Sequence, residues 1–299
     1  MAELSGYSIR MRPGVVEVSH RWFVSDSGEY MAGGVEWSRA GKKVGTEYQV
    51  HLTEKQQKGS STEREMVGMR AGLKINLEKL EGCEVRWTCD NKAVSVICRV
   101  GSMKLRLQEL AMDIWDMCKH YDIDLVMDWQ PRETEIVRYA DMLSKDVDFS
   151  DFYLSDEDFS VLQRRLGPFL CDYFASSFTF RMKPFASRYL CEGAVGMDAF
   201  TLSWREGRGF FHPPVHKIVD VVRYVKEQEA EGILVVPHWP GSAFWAFLKA
   251  EERILMKMKF RPFLVAPKYF KSRTFSGRPK FDFGVFHMKF GSGKHWRKN

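Results

Sequence analysis

Residues 18–53 alternate apolar and polar side chains in three runs, VSHRWFVSDS, EYMAGGVEWS and KKVGTEYQVHL. A period of two turns every second side chain toward one face, so this pattern predicts three strands in an antiparallel meander, with breaks at Gly33-Gly34 and Ala40-Gly41. The period then lengthens. Ser60-Ser61-Thr62-Glu63 has the composition of a helix N-cap region, and REMVGMRAGLKINLEKL spaces Met66, Met69, Leu73, Ile75 and Leu77 at roughly helical intervals. CEVRWTCD reverts to a strand. Residues 91–100 and 103–119 predict helices, the second with an apolar face of Leu105, Leu107, Leu110, Ile114 and Met117. DIDLVMDW predicts a strand and TEIVRYADMLSK a short closing helix. The order is three strands, helix, strand, helices, strand, helix.

Beyond Lys145 the pattern is less regular. DVDFSDFYLSDEDF predicts an acidic connector leading into a helix, VLQRRLG. Strand-like runs (FLCDYFA, ILVVPHW, FDFGVFH) then alternate with helical ones (PPVHKIVDVVRYVKEQEA, SAFWAFLKAEERI). Such alternation predicts an α/β unit with a mostly parallel sheet.

Composition adds bounds rather than an activity. The 299 residues are 44% hydrophobic and 28% charged, which suits one large or two smaller globular domains. No apolar run reaches the ~20 residues of a membrane span, and MAELSGYSIRMRPG has no secretory pattern. The six cysteines, at 83, 89, 98, 118, 171 and 191, have no zinc-site spacing and are expected as reduced thiols in a cytoplasmic or nuclear, non-secreted protein. The net charge of +6 is unevenly spread: residues 103–161 are acid-rich, and the stretch from Lys257 (KMKFRPF, KYFKSR, GRPK, KHWRKN) is basic and aromatic. That stretch suits a phosphate backbone or, equally, a solvated end.

Four acids stand at the ends or in the bodies of the expected elements: Asp26 at the end of the first strand, Glu65 in the first turn of the long helix, Asp90 closing the fourth strand and Asp141 in the closing helix. Taken singly each has an ordinary reading. Asp26 suits a turn, Glu65 a helix dipole, Asp90 a cap for the following helix, and Asp141 an ion pair with Arg138 or Lys145. Glu63 is a rival to Glu65. In order, however, SDSGEYMAGGV, STEREMVGM, TCDN and YADMLSK resemble the four acidic motifs of the ribonuclease H fold as found in retroelement reverse transcriptases, over about residues 15–146. The resemblance implies a mixed five-stranded sheet and a Mg²⁺ (or Mn²⁺) site made of Asp26, Glu65, Asp90 and Asp141. Such a site hydrolyses the RNA strand of an RNA–DNA hybrid, since clustered carboxylates repel unless a hard cation holds them. The histidine that many ribonucleases H carry before the last helix is missing from WQPRETEIVRY; Trp129 and Arg132 there are candidates for contact with the hybrid.

Residues 167–248 resemble the segment that follows ribonuclease H in the polyproteins of DIRS-like, tyrosine-recombinase retrotransposons, a segment similar to Dam-like adenine-N6 methyltransferases. This implies a Rossmann-like, methyltransferase-type α/β domain, with Asp172 and Asp198 as cofactor-binding acids and His212-Pro213-Pro214-Val215 in place of the Asn/Asp-Pro-Pro-aromatic motif that receives a flipped adenine. His212 lacks the carbonyl that accepts the amine hydrogen, Val215 has no ring to stack, and YFASSF is no glycine-rich loop. S-adenosylmethionine is therefore not an expected cofactor, and the Pro pair also reads as a plain helix start. The expected organisation is a ribonuclease-H-like domain over 1–146 and a degenerate methyltransferase-like domain with a basic tail over 147–299, in a retroelement-derived nuclease. With no reverse-transcriptase or recombinase segment in the sequence, a polyprotein fragment or its descendant is expected. Two other functions stay open: a non-catalytic nucleic-acid-binding scaffold, and an active DNA adenine-N6 methyltransferase.

Overall fold

The computed structural model describes residues 19–37, 43–146, 152–266 and 277–290. Its first half holds β1 (His20–Ser27), β2 (Met31–Trp37), β3 (Lys43–His51), α1 (Glu54–Gln57), α2 (Ser61–Leu80), β4 (Glu84–Cys89), α3 (Lys92–Val100), α4 (Leu105–His120), β5 (Asp124–Trp129) and α5 (Glu135–Lys145). The strands make one mixed sheet in the order β3-β2-β1-β4-β5. The meander β1-β2-β3 is antiparallel, while β4 and β5 run parallel to β1. This is the ribonuclease-H-like arrangement.

Strand alternation builds its two cores. On β1 and β4 the odd positions Phe23, Val85, Trp87 and Cys89 join the core beneath α2, α3 and α4. Phe23 stacks on Trp87 at 5.2 Å between ring centroids, and the indole N–H of Trp87 donates to Ser25 Oγ at 2.8 Å. The even position Val24 joins Val35, Val137, Ala140 and Leu143 in a second core under α5. Asp26 therefore belongs to the α5 face.

Local expectations needed correcting in three places. Gly33-Gly34 does not break the meander: both lie inside β2, and the turn is at Gly28–Tyr30. A Cβ on Gly33 would stand 2.6 Å from the backbone of Leu143 and Ser144, so the glycine is there to let α5 approach. Leu105 is 76% exposed, and the buried face of α4 is instead Leu107, Leu110, Ala111, Ile114 and Cys118. In α2, Ile75 and Leu77 are only partly buried, while Met66, Met69, Leu73 and Leu80 fill the core.

The second half comprises β6 (Tyr153–Leu154), α6 (Asp156–Leu166), β7 (Asp172–Ala175), β8 (Phe185–Ser187), β9 (Ala194–Met197), β10 (Arg208–Phe211), α7 (Ile218–Glu227), β11 (Glu231–Pro237), α8 (Ala243–Ala250), β12 (Ile254–Phe260), β13 (Leu264–Val265) and β14 (Phe283–Lys289). Seven strands form a sheet in the order β12-β14-β11-β10-β7-β8-β9, parallel from β11 to β9 and antiparallel at β14. This additional α/β sheet is doubly wound: the chain builds outward from β7 to β9 on one side and from β10 to β11 on the other. The acidic connector is shorter than expected. Helix α6 begins at Asp156, where the Ser155 hydroxyl accepts from the Asp158 amide and three acids occupy the first turn. Part of the basic C-terminal stretch is structural too: Lys257 and Lys259 lie in β12, and Lys259 and Arg261 pair with Asp282. KYFKSR and KHWRKN, like Ala40-Gly41, lie outside the described residues.

The two sheets are joined at an edge. Leu190, from the loop after β8, exchanges backbone hydrogen bonds with β3, through Gln49 N to Leu190 O (3.2 Å) and Leu190 N to Glu47 O (3.0 Å). Pairing here covers a strand edge that would otherwise be open.

Candidate metal centre

The parallel register of β1 with β4 aligns Val24 with Thr88. Two residues further, on the same face, stand Asp26 and Asp90. Helix α2 supplies the third acid, and its first turn is tied down from two sides. Arg64 Nε donates to Gly28 O at 3.0 Å, fixing the turn to the β1–β2 connection. Asn91 Nδ2 donates to Glu65 Oε1 at 3.1 Å, fixing it to the end of β4. Ser60 caps the helix by accepting from the Glu63 amide. Glu63 then points to Arg106 (3.2 Å), and Glu65 points inward. Of the two rivals, the fold therefore selects Glu65.

Carboxylate oxygens of Asp26, Glu65 and Asp90 lie within 4.8 Å of one another. Asp26 and Glu65 are 2% and 8% exposed. Burial, then the charges of Asp90 and Asp141, raise the pKa of Asp26, against the Ser144 hydroxyl and Arg132. Burial likewise pushes Glu65 up to about 7, against the Asn91 hydrogen bond and Arg132, with Asp90 and Asp26 adding repulsion. Asp26 Oδ1 and Glu65 Oε2 are buried without a hydrogen-bond partner. Buried polar atoms are seldom left so. Three hard oxygen donors, two of them buried without a hydrogen bond, fit a divalent cation of the Mg²⁺ or Mn²⁺ type.

The fourth acid of the sequence pattern stands apart. Asp141 is on α5, outside the group of three, and its carboxylate receives Lys145 Nζ at 2.6 and 2.7 Å. It adds negative potential at Asp26. Arg132, in the turn between β5 and α5, reaches back to the acids: its Nε is 2.8 Å from Asp90 Oδ2 and its NH2 3.6 Å from Asp26 Oδ1. Trp129 is 39% exposed at the mouth of the site; its indole N–H donates to Asp90 O, and Lys92 lies over its ring. The acid at the tip of β4 is thus faced by an arginine on one side and by the carboxylates of Asp26 and Glu65 on the other.

Two supporting residues escaped the sequence reading. Ser144 Oγ is 2.9 Å from Asp26 Oδ2; its place one helical turn after Asp141 was the available signal. Asn91 both caps α3, accepting from the Ala93 amide, and holds Glu65.

The two candidate acids of the second half have different settings. Asp172 is buried at the start of β7, where its Oδ2 accepts from the Arg181 amide, while the Arg181 guanidinium pairs with Asp156. Asp198, at φ 58°, lines a cavity of about 650 Å³ together with Ser176, Ser187, His212 and Pro214, all at the carboxyl ends of β7 to β10. Gln49, His51 and Asp146 of the first half close its other side. Burial pushes His212 down to about 4, so its ring is neutral. Val215 is 39% exposed and Pro213 buried; neither lines the cavity.

No protein-family model matches the chain, and no curated protein does. Solved structures of RNase H domains match part of the chain. The N-terminal RNase H domain of rv2228c from Mycobacterium tuberculosis is 21% identical, covering 43% of this chain and 92% of that one, with a TM-score of 0.36. RNase H1 from the halophilic archaeon Halobacterium salinarum is 18% identical over 42% of this chain and 92% of its own, with a TM-score of 0.33. LC11-RNase H1, in complex with an RNA/DNA hybrid, is 17% identical over 42% and 91%, with a TM-score of 0.34. Identities and scores this low carry no functional weight; the fold rests on the strand order and the chemistry on the side chains. Among the described residues, no helix is long and apolar enough to cross a membrane.

Proposed function

We propose that the chain is a divalent-metal-dependent ribonuclease H that hydrolyses the RNA strand of RNA–DNA hybrids. The observation that carries this reading is the convergence of Asp26, Glu65 and Asp90, from three separate elements, with two buried oxygens lacking hydrogen bonds. These three residues would hold Mg²⁺ or Mn²⁺, with Asp141 at the outer edge. A cation held by them would supply Lewis-acid polarisation of a phosphodiester and activation of a water. The chain's own part is placement: Ser144 orients Asp26, Asn91 orients Glu65, and the parallel register sets Asp90 beside Asp26. Trp129 and Arg132 stand at the open side, where an aromatic face and a guanidinium suit a nucleic-acid strand.

The test is cleavage of a labelled RNA–DNA hybrid with Mg²⁺ or Mn²⁺ by the wild type and by Asp90→Asn. RNA-strand cleavage lost in the variant supports the nuclease. No cleavage by either, with hybrid binding retained, moves the reading to a non-catalytic scaffold.

We read 1–146 as the ribonuclease-H-like unit and 147–299 as a degenerate methyltransferase-like unit of retroelement descent, similar to that of DIRS-like polyproteins. The doubly wound sheet supports this, with its cavity outside the carboxyl ends of the strands where the order reverses, the usual ligand crevice of such sheets. The residues present do not fit methyl transfer. Asp172 is bonded into the fold outside the cavity lining, a neutral His212 stands where an amide or carboxylate is needed, and Val215 has no ring to stack and does not line the cavity. Calorimetric titration with S-adenosylmethionine is expected to give no stoichiometric heat; saturable binding would restore the methyltransferase reading.

A further inference from the structure

Arg132 is the one cation that touches two members of the acid group among the ion pairs described, through Asp90 and Asp26. The atom it approaches on Asp26 is Oδ1, the same oxygen left without a hydrogen bond. At 3.6 Å the guanidinium lends it charge without satisfying it. The base of the arm is fixed: the Thr134 amide and hydroxyl both donate to Pro131 O, at 3.0 and 2.9 Å, closing the turn that carries Arg132. The arm itself is 61% exposed and held chiefly by the acids. An ion pair made by so exposed a side chain is weak and readily exchanged.

We propose that Arg132 is a resident counter-ion of the acid cluster that yields its place to the incoming divalent cation and then turns outward to bind a phosphate of the nucleic-acid strand. This rests on the ribonuclease reading above. At Asp90 Oδ2 and Asp26 Oδ1 the guanidinium and a divalent cation would repel one another and compete for the same oxygens, so arm-in and metal-bound are competing states of one site. Metal affinity is then reduced by the fraction of time the arm is in. Once released, the guanidinium lies beside Trp129 on the solvent side, with the planar donor fork that suits phosphate oxygens.

The experiment is Mn²⁺ titration by calorimetry, followed by hybrid binding at several salt concentrations in Ca²⁺, for the full chain and for Arg132→Ala and Arg132→Lys. Arg132→Ala is expected to bind Mn²⁺ roughly three- to tenfold more tightly while its hybrid affinity falls and the salt slope drops by about 1. Arg132→Lys, a shorter point charge, is expected to lie between, and serves alone should the alanine variant not fold. Equal or weaker Mn²⁺ binding by the variants, with the wild type binding, overturns the exchange and leaves the nuclease reading standing. Tighter Mn²⁺ binding with unchanged hybrid binding overturns the phosphate role. No Mn²⁺ binding by any of them overturns the metal site itself and this proposal with it.

Discussion

Glu65 makes the metal-free protein lose stability as the pH rises from mildly acidic to neutral, and the size of the effect follows from its burial. Its carboxyl is pushed from 4.5 up to about 7, first by burial and then by the charges of Asp90 and Asp26. In the unfolded chain it titrates near its ordinary value. Between pH 4.5 and 7 the unfolded state has therefore lost a proton that the folded state still holds, and stability falls as pH rises through that window. At roughly 1.4 kcal/mol for each tenfold change in proton affinity, the full penalty above pH 7 is about 3 kcal/mol. Glu65→Gln removes the charge and keeps the oxygen that accepts from Asn91. Thermal unfolding in EDTA should show the variant more stable than wild type by roughly 6–12 °C at pH 8, taking about 2–4 °C per kcal/mol, and nearly equal to it below pH 4.5. Adding Mn²⁺ should raise the wild type and leave the variant nearly unmoved. A gap of the same size at both ends of the pH range would refute the reasoning, because it would trace the effect to packing and not to the proton.

Gly33→Ala should destabilise the fold by about 1–3 kcal/mol or more in urea unfolding, because the new methyl meets backbone atoms of Leu143 and Ser144 at 2.6 Å; unchanged stability would mean that α5 is not held where it stands. His212 works in the opposite pH direction from Glu65: its folded pKa is lowered from 6.5 to about 4, so stability is complete above pH 6.5 and is lost as pH falls toward 4, by up to about 3 kcal/mol. His212→Gln should shrink that acid limb, leaving the share of His51, which burial also pushes down to about 4, and an unaltered limb would show that the His212 imidazole titrates freely.

The placement of Gly33 shows how far local pattern reaches. A Gly-Gly pair is a sound break signal by itself, yet here it marks the crossing of a helix that arrives more than 100 residues later, and nothing near Gly33 encodes that helix. The short strands β8, β9 and β10 were equally silent, since three or four residues carry too little alternation to stand out. β12 was hidden by its lysines, which alternate outward along a strand that otherwise resembles a basic tail. Ser144 and Asn91 lie within YADMLSK and TCDN, but their roles are relations to Asp26 and Glu65, set by tertiary contact.

By itself the sequence determined what period and composition can determine. The meander, the long helix with Ser60 at its start, the alternating elements of the second half and the element on which each acid stands all come from interactions within a few residues. Register and strand order were decided only in three dimensions. They bring Asp26 beside Asp90, turn Glu65 inward and Glu63 outward, leave Asp141 to Lys145, carry Arg132 into the cluster and close a cavity between the two sheets. The reason is one of range: a side chain's periodicity is fixed by its own backbone, whereas its charge partner is fixed by whichever distant element the core brings alongside.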